Sequence, residues 1–199
     1  MKKLLLIILF LLVVSLGIST TLAFINYNHN KKIDDTTLLS NIKGHELISN
    51  QRLTSDVKYG FFRSNKKGCG WIALYNILKL DGQDVKVENV VLHMDLYGKN
   101  AFASLGSNPL SMALYLKLKG YDVKIYLDQE KFDDAASKTD FGIIGMLSTS
   151  KKGGHYQTYF RNEDDTLTFT NDFSTSASIS DYISGLSYKY YFLLTVDRK

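Results

Sequence analysis

Residues 68–80 read GCGWIALYNILKL, and this stretch decides the fold. After the cysteine its strongly polar residues are Asn76 and Lys79, so it predicts a helix that is apolar on nearly every side and therefore buried. Asp81-Gly82 ends that helix. Cys69, at its start, is the one cysteine of the chain, so it can form neither an intramolecular disulfide nor a cysteine-based zinc site. Cys69 is a candidate nucleophile, and the alternative is a small buried core residue.

The N-terminus carries an export signal. Lys2 and Lys3 precede an apolar run from Leu4 to Ile18 that continues weakly to Ile25. This pattern fits a secretory signal peptide with a small-residue cleavage site near Ala23, and it also fits an uncleaved membrane anchor. We therefore assign residues 1–25 to a signal peptide or an N-terminal anchor. With the two lysines kept inside, everything after Ile25 is expected outside the cytoplasm, anchored or secreted.

The rest of the chain predicts a tether and one domain. Residues 26–55 are rich in Asn, Lys, Asp, Thr and Ser, which suits a polar tether. Residues 56–199 are enough for one core. The formal net charge is +4, and the lysines alternate with acids instead of forming a basic stripe, so we exclude nucleic acid as a partner. No phosphate loop or metal-ligand spacing is found, and no cofactor is implied.

Apolar periodicity and breakers divide the domain into helices followed by strands. Further helices are predicted over 87–96, 108–120 and 129–138, and strands over 121–127, 141–147, 155–161, 166–171 and 188–196. The unbroken apolar run 141–147 predicts the centre of the sheet. Helices fill the first half and antiparallel strands the second, which is an α+β arrangement.

A thiol at a helix start needs a base, and His155 is the best placed histidine because it begins a strand after two glycines. A hairpin centred on Glu163-Asp164 would pair residues whose numbers sum to 327 and would set Asp172 opposite His155. That carboxylate could orient the imidazole. A register slipped by one would offer Asn171 instead, and the alternative is an ordinary exposed His and Asp at the open end of a hairpin.

These motifs resemble the papain-like C39 peptidase and C39-like family. The resemblance rests on Gly68-Cys69-Gly70 opening an apolar helix, Asn108-Pro109 opening another, His155-Tyr156, and Asn171-Asp172-Phe173. It implies a papain-like fold in which the buried nucleophile helix packs on a C-terminal, mainly antiparallel sheet. It also implies Cys69 as nucleophile, His155 as base and Asp172 as its orienter, although Phe173 stands where proline is common in the family.

One departure bears on activity. The family carries a glutamine six residues before the cysteine as an oxyanion-hole donor, and that position here is Arg63. Asn65 is the nearest amide side chain that could replace it, and loss of one donor costs on the order of a hundredfold in rate.

Taken with the motifs around Cys69 and His155, the sequence favours a thiol hydrolase acting on peptide or isopeptide bonds. A catalytically impaired domain that binds peptides or surface partners is the alternative.

Overall fold

A computed structural model describes residues 2–99, 106–148, 154–170 and 174–198. The helices are α1 (Lys2–Asn30), α2 (Ser64–Lys67), α3 (Cys69–Leu80), α4 (Val87–His93), α5 (Pro109–Leu118), α6 (Phe132–Ala136) and α7 (Ile179–Ser184). A π-helical turn over Met94–Gly98 continues α4, and short 3-10 turns cover Asp35–Leu38, Gln51–Ser55 and Gln129–Lys131.

In the described part of the chain, ten strands form one large sheet and two small hairpins. The strands are β1 (Ser40–Ile42), β2 (His45–Leu47), β3 (Lys58–Tyr59), β4 (Phe62–Arg63), β5 (Tyr121–Tyr126), β6 (Phe141–Leu147), β7 (Gly154–Arg161), β8 (Leu167–Phe169), β9 (Thr175–Ser176) and β10 (Tyr190–Arg198). The large sheet is antiparallel throughout, in the order β5-β10-β6-β7-β8-β9. The predicted α+β class is confirmed, and β6 lies at the sheet centre as its apolar run predicted.

Helix α3 packs against the sheet with nearly its whole length buried, as its sequence predicted. Every residue from Cys69 to Leu78 is buried. Its one buried amide, Asn76, donates to the carbonyl of Ile48 and accepts from the Ile48 N–H, each at 2.9 Å. A polar side chain on this helix is therefore fully paired and holds the segment that follows β2 against the core.

The predicted tether over residues 26–55 is wrong. Leu38, Ile42, Leu47 and Ile48 are buried in the same core as α3, and β1 and β2 form a hairpin. The segment has scattered leucines and isoleucines with polar residues between them, which is also the pattern of a half-buried hairpin. Composition alone did not distinguish the two. The domain therefore begins near Asn26 and not at Asp56.

Helix α1 runs without a break from the apolar segment into the domain. It is 29 residues long, and by length and composition it could cross a membrane, with a mean hydropathy of 2.7 over its most apolar window. Its last turns are docked. Asn26 donates to the Gly60 carbonyl and to Asp95, each at 2.9 Å, while Asn30 pairs both ways with the backbone of Lys58.

The register predicted for the β7–β8 hairpin is also wrong. The observed pairs are Tyr159 with Phe169 and Phe160 with Thr168, so partner numbers sum to 328 and not 327. The loop contains three residues, because the Asn162 N–H donates to the Thr166 carbonyl and Asp165 adopts a left-handed φ of 63°. A three-residue loop of this kind shifts every partner by one. Both faces of the sheet are covered, so alternation of polar and apolar residues could not reveal the shift.

Candidate active site

Cys69 is the first residue of α3, and the chain around it is closely packed. Its two glycine neighbours are required by close packing. A Cβ on Gly68 would lie 2.6 Å from the carbonyl oxygen of Ser64, and a Cβ on Gly70 would overlap the side chain of Ser107. The indole of Trp71 donates to the Ser64 hydroxyl at 3.0 Å and ties α3 to α2. The helix start is thus held by contacts that tolerate no larger residue.

The sulfur of Cys69 is nearly enclosed, with 7% of the residue exposed. Burial raises the pKa of the thiol above its ordinary value of 9.0, which is the largest effect. Backbone N–H groups of Tyr156, Gly70 and Cys69 itself act on the sulfur in the opposite direction, as does the charge of Lys67. N–H groups in the first turn of a helix have no intrahelical partner and favour negative charge. These donors are therefore available to an anion that forms at this position.

His155 is the second residue of β7, paired with Met146 of β6 and half-buried. The N–H that reaches the sulfur belongs to Tyr156, the next residue, so the start of β7 lies against the thiol. Side chains alternate along a strand, and Thr158 donates to the Ala73 carbonyl of α3 at 3.0 Å. By this alternation the His155 side chain leaves the strand on the sheet face opposite α3. Its imidazole would therefore reach the thiol around the N-terminal end of β7.

Ser107 connects the surroundings of the thiol, and sequence analysis did not single it out. Its carbonyl accepts from the Tyr156 hydroxyl at 2.7 Å, and its own hydroxyl lies 3.2 Å from that of Tyr59. Burial raises the pKa of both tyrosines, so both hydroxyls are neutral at physiological pH. No motif marks this serine. Gly70, which lacks a side chain where Ser107 packs, is the kind of signal that could have pointed to it.

The two residues considered for the oxyanion hole differ in position. Arg63 is exposed, with its guanidinium 3.4 Å from the Ser55 carbonyl and 3.7 Å from the Asp56 carboxylate. Asn65 lies in α2 and is half-buried. Its side-chain oxygen is enclosed and has no hydrogen-bond partner within the described part of the chain. An amide can exchange its oxygen and nitrogen by rotation, so Asn65 has an unused polar group and its role stays a prediction.

Asp172 and Asn171, the two candidates for orienting His155, lie outside the described residues. The pairing argument that favoured Asp172 fails with the register, but the assignment by resemblance to the family stays a prediction. Among the described residues, no group of three or more His, Cys, Asp or Glu side chains could hold a metal ion.

Comparison with known proteins returned structures only. No family model matches the chain, and no curated protein matches it. Similar solved structures include the peptidase domain of Streptococcus ComA, described as a bifunctional ABC transporter involved in a quorum-sensing pathway. It has 13% identity over 66% of this chain and 91% of that one, with a TM-score of 0.46.

Two further structures have comparable values. A double-glycine-motif protease from an AMS/PCAT transporter, in complex with the leader peptide, has 14% identity over 66% of this chain and 84% of that one, at a TM-score of 0.46. The peptidase domain of Streptococcus mutans ComA with a small-molecule inhibitor has 12% identity, 66% and 92% coverage, and a TM-score of 0.37.

Proposed function

We propose that the chain is a membrane-anchored, papain-like thiol hydrolase that cleaves peptide or isopeptide bonds with Cys69, His155 and Asp172. The observation that carries the proposal is the position of the thiol. It lies at the start of a twelve-residue buried helix and accepts the N–H of the residue that follows the candidate base. The ordered motifs of the C39-like family support the same assignment.

The chemistry follows from the raised pKa of the thiol. Because burial favours the neutral form of the thiol, Cys69 attacks as its proton passes to His155. The sulfur bonds to the acyl carbon, and the negative charge that develops on the carbonyl oxygen faces the backbone N–H of Cys69 and the side-chain amide of Asn65. The imidazolium then protonates the leaving amine. Water, activated by the same histidine, releases the acid and restores the thiol.

We further propose that α1 is retained as the anchor. Ala23, at the end of the possible cleavage site, is fully buried and helical, and Asn26 and Asn30 hold the next turns against the domain. A segment packed in this way is a poor substrate for a protease that needs extended, accessible chain. The peptidase domain therefore stays attached to the bilayer.

A second candidate, a domain that binds peptides without cleaving them, is favoured by one observation. The position expected to supply an oxyanion-hole donor is Arg63, whose guanidinium turns to the Ser55–Asp56 surface. If Asn65 does not replace it, the loss of one donor leaves about a hundredfold less activity. The site around Cys69 would then bind a peptide without cleaving it.

The test uses the full chain in detergent micelles with a peptidyl vinyl sulfone, which requires a catalytically competent thiol, and intact-mass readout. We expect one adduct, lost in Cys69→Ala and strongly slowed in His155→Ala and Asp172→Ala. Asn171→Ala is the matched control beside Asp172 and should react as the parent does. Adduct formation that is unchanged in His155→Ala would refute the catalytic pair. Modification by iodoacetamide at high pH, without any vinyl sulfone adduct, would favour the binding domain.

A further inference from the structure

The apolar part of α1 ends where the domain begins. Its run from Leu4 to Ile25 covers about 22 residues, or about 33 Å of helix, against about 30 Å for the hydrocarbon core of a bilayer. The next residue, Asn26, is buried and bonded to Gly60 and Asp95. A bilayer spanned by α1 would thus end within about one helical turn of the folded domain.

Two elements beside α1 show which surface faces that bilayer. Along the β3–β4 hairpin, Lys58 contacts Asn30 and Gly60 contacts Asn26, so Phe61, at the tip, is displaced toward the apolar end of α1. The chain from α4 onward also runs toward the apolar end of α1. Val87 N–H donates to Asp35, which follows α1, while Asp95 accepts from Asn26. Tyr97, two residues later, therefore lies at the same end.

The start of α5 joins this end of the domain. Asn108 N–H donates to the Gly98 carbonyl at 2.6 Å, and the Ser111 hydroxyl donates to the Tyr97 carbonyl at 2.8 Å. Leu110 lies between these two contacts. Large side chains described at this end that are at least half exposed include Phe24 (50%), Phe61 (61%), Tyr97 (67%) and Leu110 (68%). We call these four residues the apolar collar.

We propose that the apolar collar is a membrane-contacting surface that seats the domain directly on the lipid bilayer around α1. This inference rests on the retention of α1 in the proposed function. Aromatic side chains with one polar tip prefer the interface between lipid and water, and Tyr97 would lie at that depth, while Phe24, Phe61 and Leu110 add apolar area. Phe24 of the collar is part of α1. A spanning α1 therefore brings the collar to the lipid surface by itself.

The collar also sets the height of the thiol. A Cβ on Gly70 would overlap Ser107, and Ser107 precedes Asn108, which is bonded to Gly98 next to Tyr97. These steps place Cys69 on the order of 10 to 15 Å from the collar. A peptide bond that reaches Cys69 is therefore close to the lipid surface, as in a segment that has just left the membrane.

The experiment places one nitroxide label at a time on the full chain in lipid bilayers, in a Cys69→Ala background that removes the native thiol. Labels go to Tyr97→Cys and Leu110→Cys, with Leu118→Cys as the matched control. Leu118 lies two turns beyond Leu110 on the same helix, with 70% exposure, and about 12 Å further along the axis. Power saturation with oxygen and with a water-soluble nickel chelate reports the depth of each label, and intact mass reports whether α1 is retained.

We expect the labels at 97 and 110 to be more accessible to oxygen than to the nickel chelate and the label at 118 to show the reverse. Equal aqueous exposure of 110 and 118 would overturn the proposal. Protection of 97 and 110 from both reagents would indicate a protein partner and would also overturn it, as would a chain that begins after Ala23. None of these readouts needs catalysis, so failure of the hydrolase proposal is scored separately.

Discussion

Removal of the Asn26 side chain should loosen the docking of α1 on the domain, and the size of the effect can be worked out from its contacts. Asn26→Ala deletes two hydrogen bonds of 2.9 Å, one to the Gly60 carbonyl and one to the Asp95 carboxylate. Asp95 is fully buried. It keeps the Gly60 N–H and Lys99 as partners, but the oxygen that faced Asn26 loses its donor.

A neutral hydrogen bond contributes about 1 kcal/mol, and one to a charged acceptor about 1.5–3 kcal/mol. The loss is therefore about 2–4 kcal/mol in the free energy of unfolding. For a domain of this size, 1 kcal/mol corresponds to about 2–4 °C in Tm, so Asn26→Ala should lower the Tm by about 4–16 °C. Asn28→Ala is the matched control, because Asn28 is exposed on the same helix. There alanine should be neutral or slightly stabilising.

The assay is thermal unfolding of the full chain in detergent, followed by circular dichroism, with the two variants and the parent in parallel. A Tm of Asn26→Ala within about 1 °C of that of Asn28→Ala, well under the shift calculated from the two bonds, would refute the docking. The proposals that α1 is retained and that the apolar collar meets the bilayer would then lose their structural basis.

Four further predictions follow from the site and the core. A chain that begins at Asp56 should show no cooperative unfolding transition by circular dichroism. It lacks buried Leu47 and Ile48, and the Asn76 side chain loses its hydrogen bonds to Ile48. Gly70→Ala should lower both Tm and vinyl sulfone reactivity, since its Cβ overlaps Ser107, whereas Gly185→Ala, with 3.8 Å to its nearest atom, should do neither. Iodoacetamide modification of Cys69 should be slow at neutral pH and rise above pH 9, because burial raises its pKa. The stability due to the neutral thiol is present below the ordinary pKa and lost as pH rises through the raised one. Rapid modification at pH 7 would contradict this. Asn65→Ala should cut peptide hydrolysis about a hundredfold at an unchanged iodoacetamide rate, with Arg63→Ala as control, and parent-like turnover would remove Asn65 from the oxyanion hole.

Local sequence was sufficient where one physical requirement dominated. The all-round apolar pattern after Cys69 can be satisfied only by burial, so both α3 and its covered position followed from it. Asn108-Pro109 sets a helix start through the side-chain cap and the restricted φ of proline, and Asn108 does accept the Leu110 N–H. The unbroken apolar run of β6 required cover on both faces and hence a central strand.

The hairpin register and the domain boundary depended on the tertiary structure. Whether the β7–β8 loop has two or three residues depends on a left-handed Asp165, and with both faces of the sheet covered no alternation pattern discriminates between the two registers. Leucines in a polar segment fit a tether or a core hairpin equally well until Asn76 is seen to bind Ile48. The amino-acid sequence by itself determined a buried helix that begins at the cysteine and an antiparallel sheet, because those follow from apolar burial within single elements. Only the tertiary structure decided that α1 is bonded to the domain and that the start of β7 meets the thiol, because both depend on contacts between residues far apart in the chain.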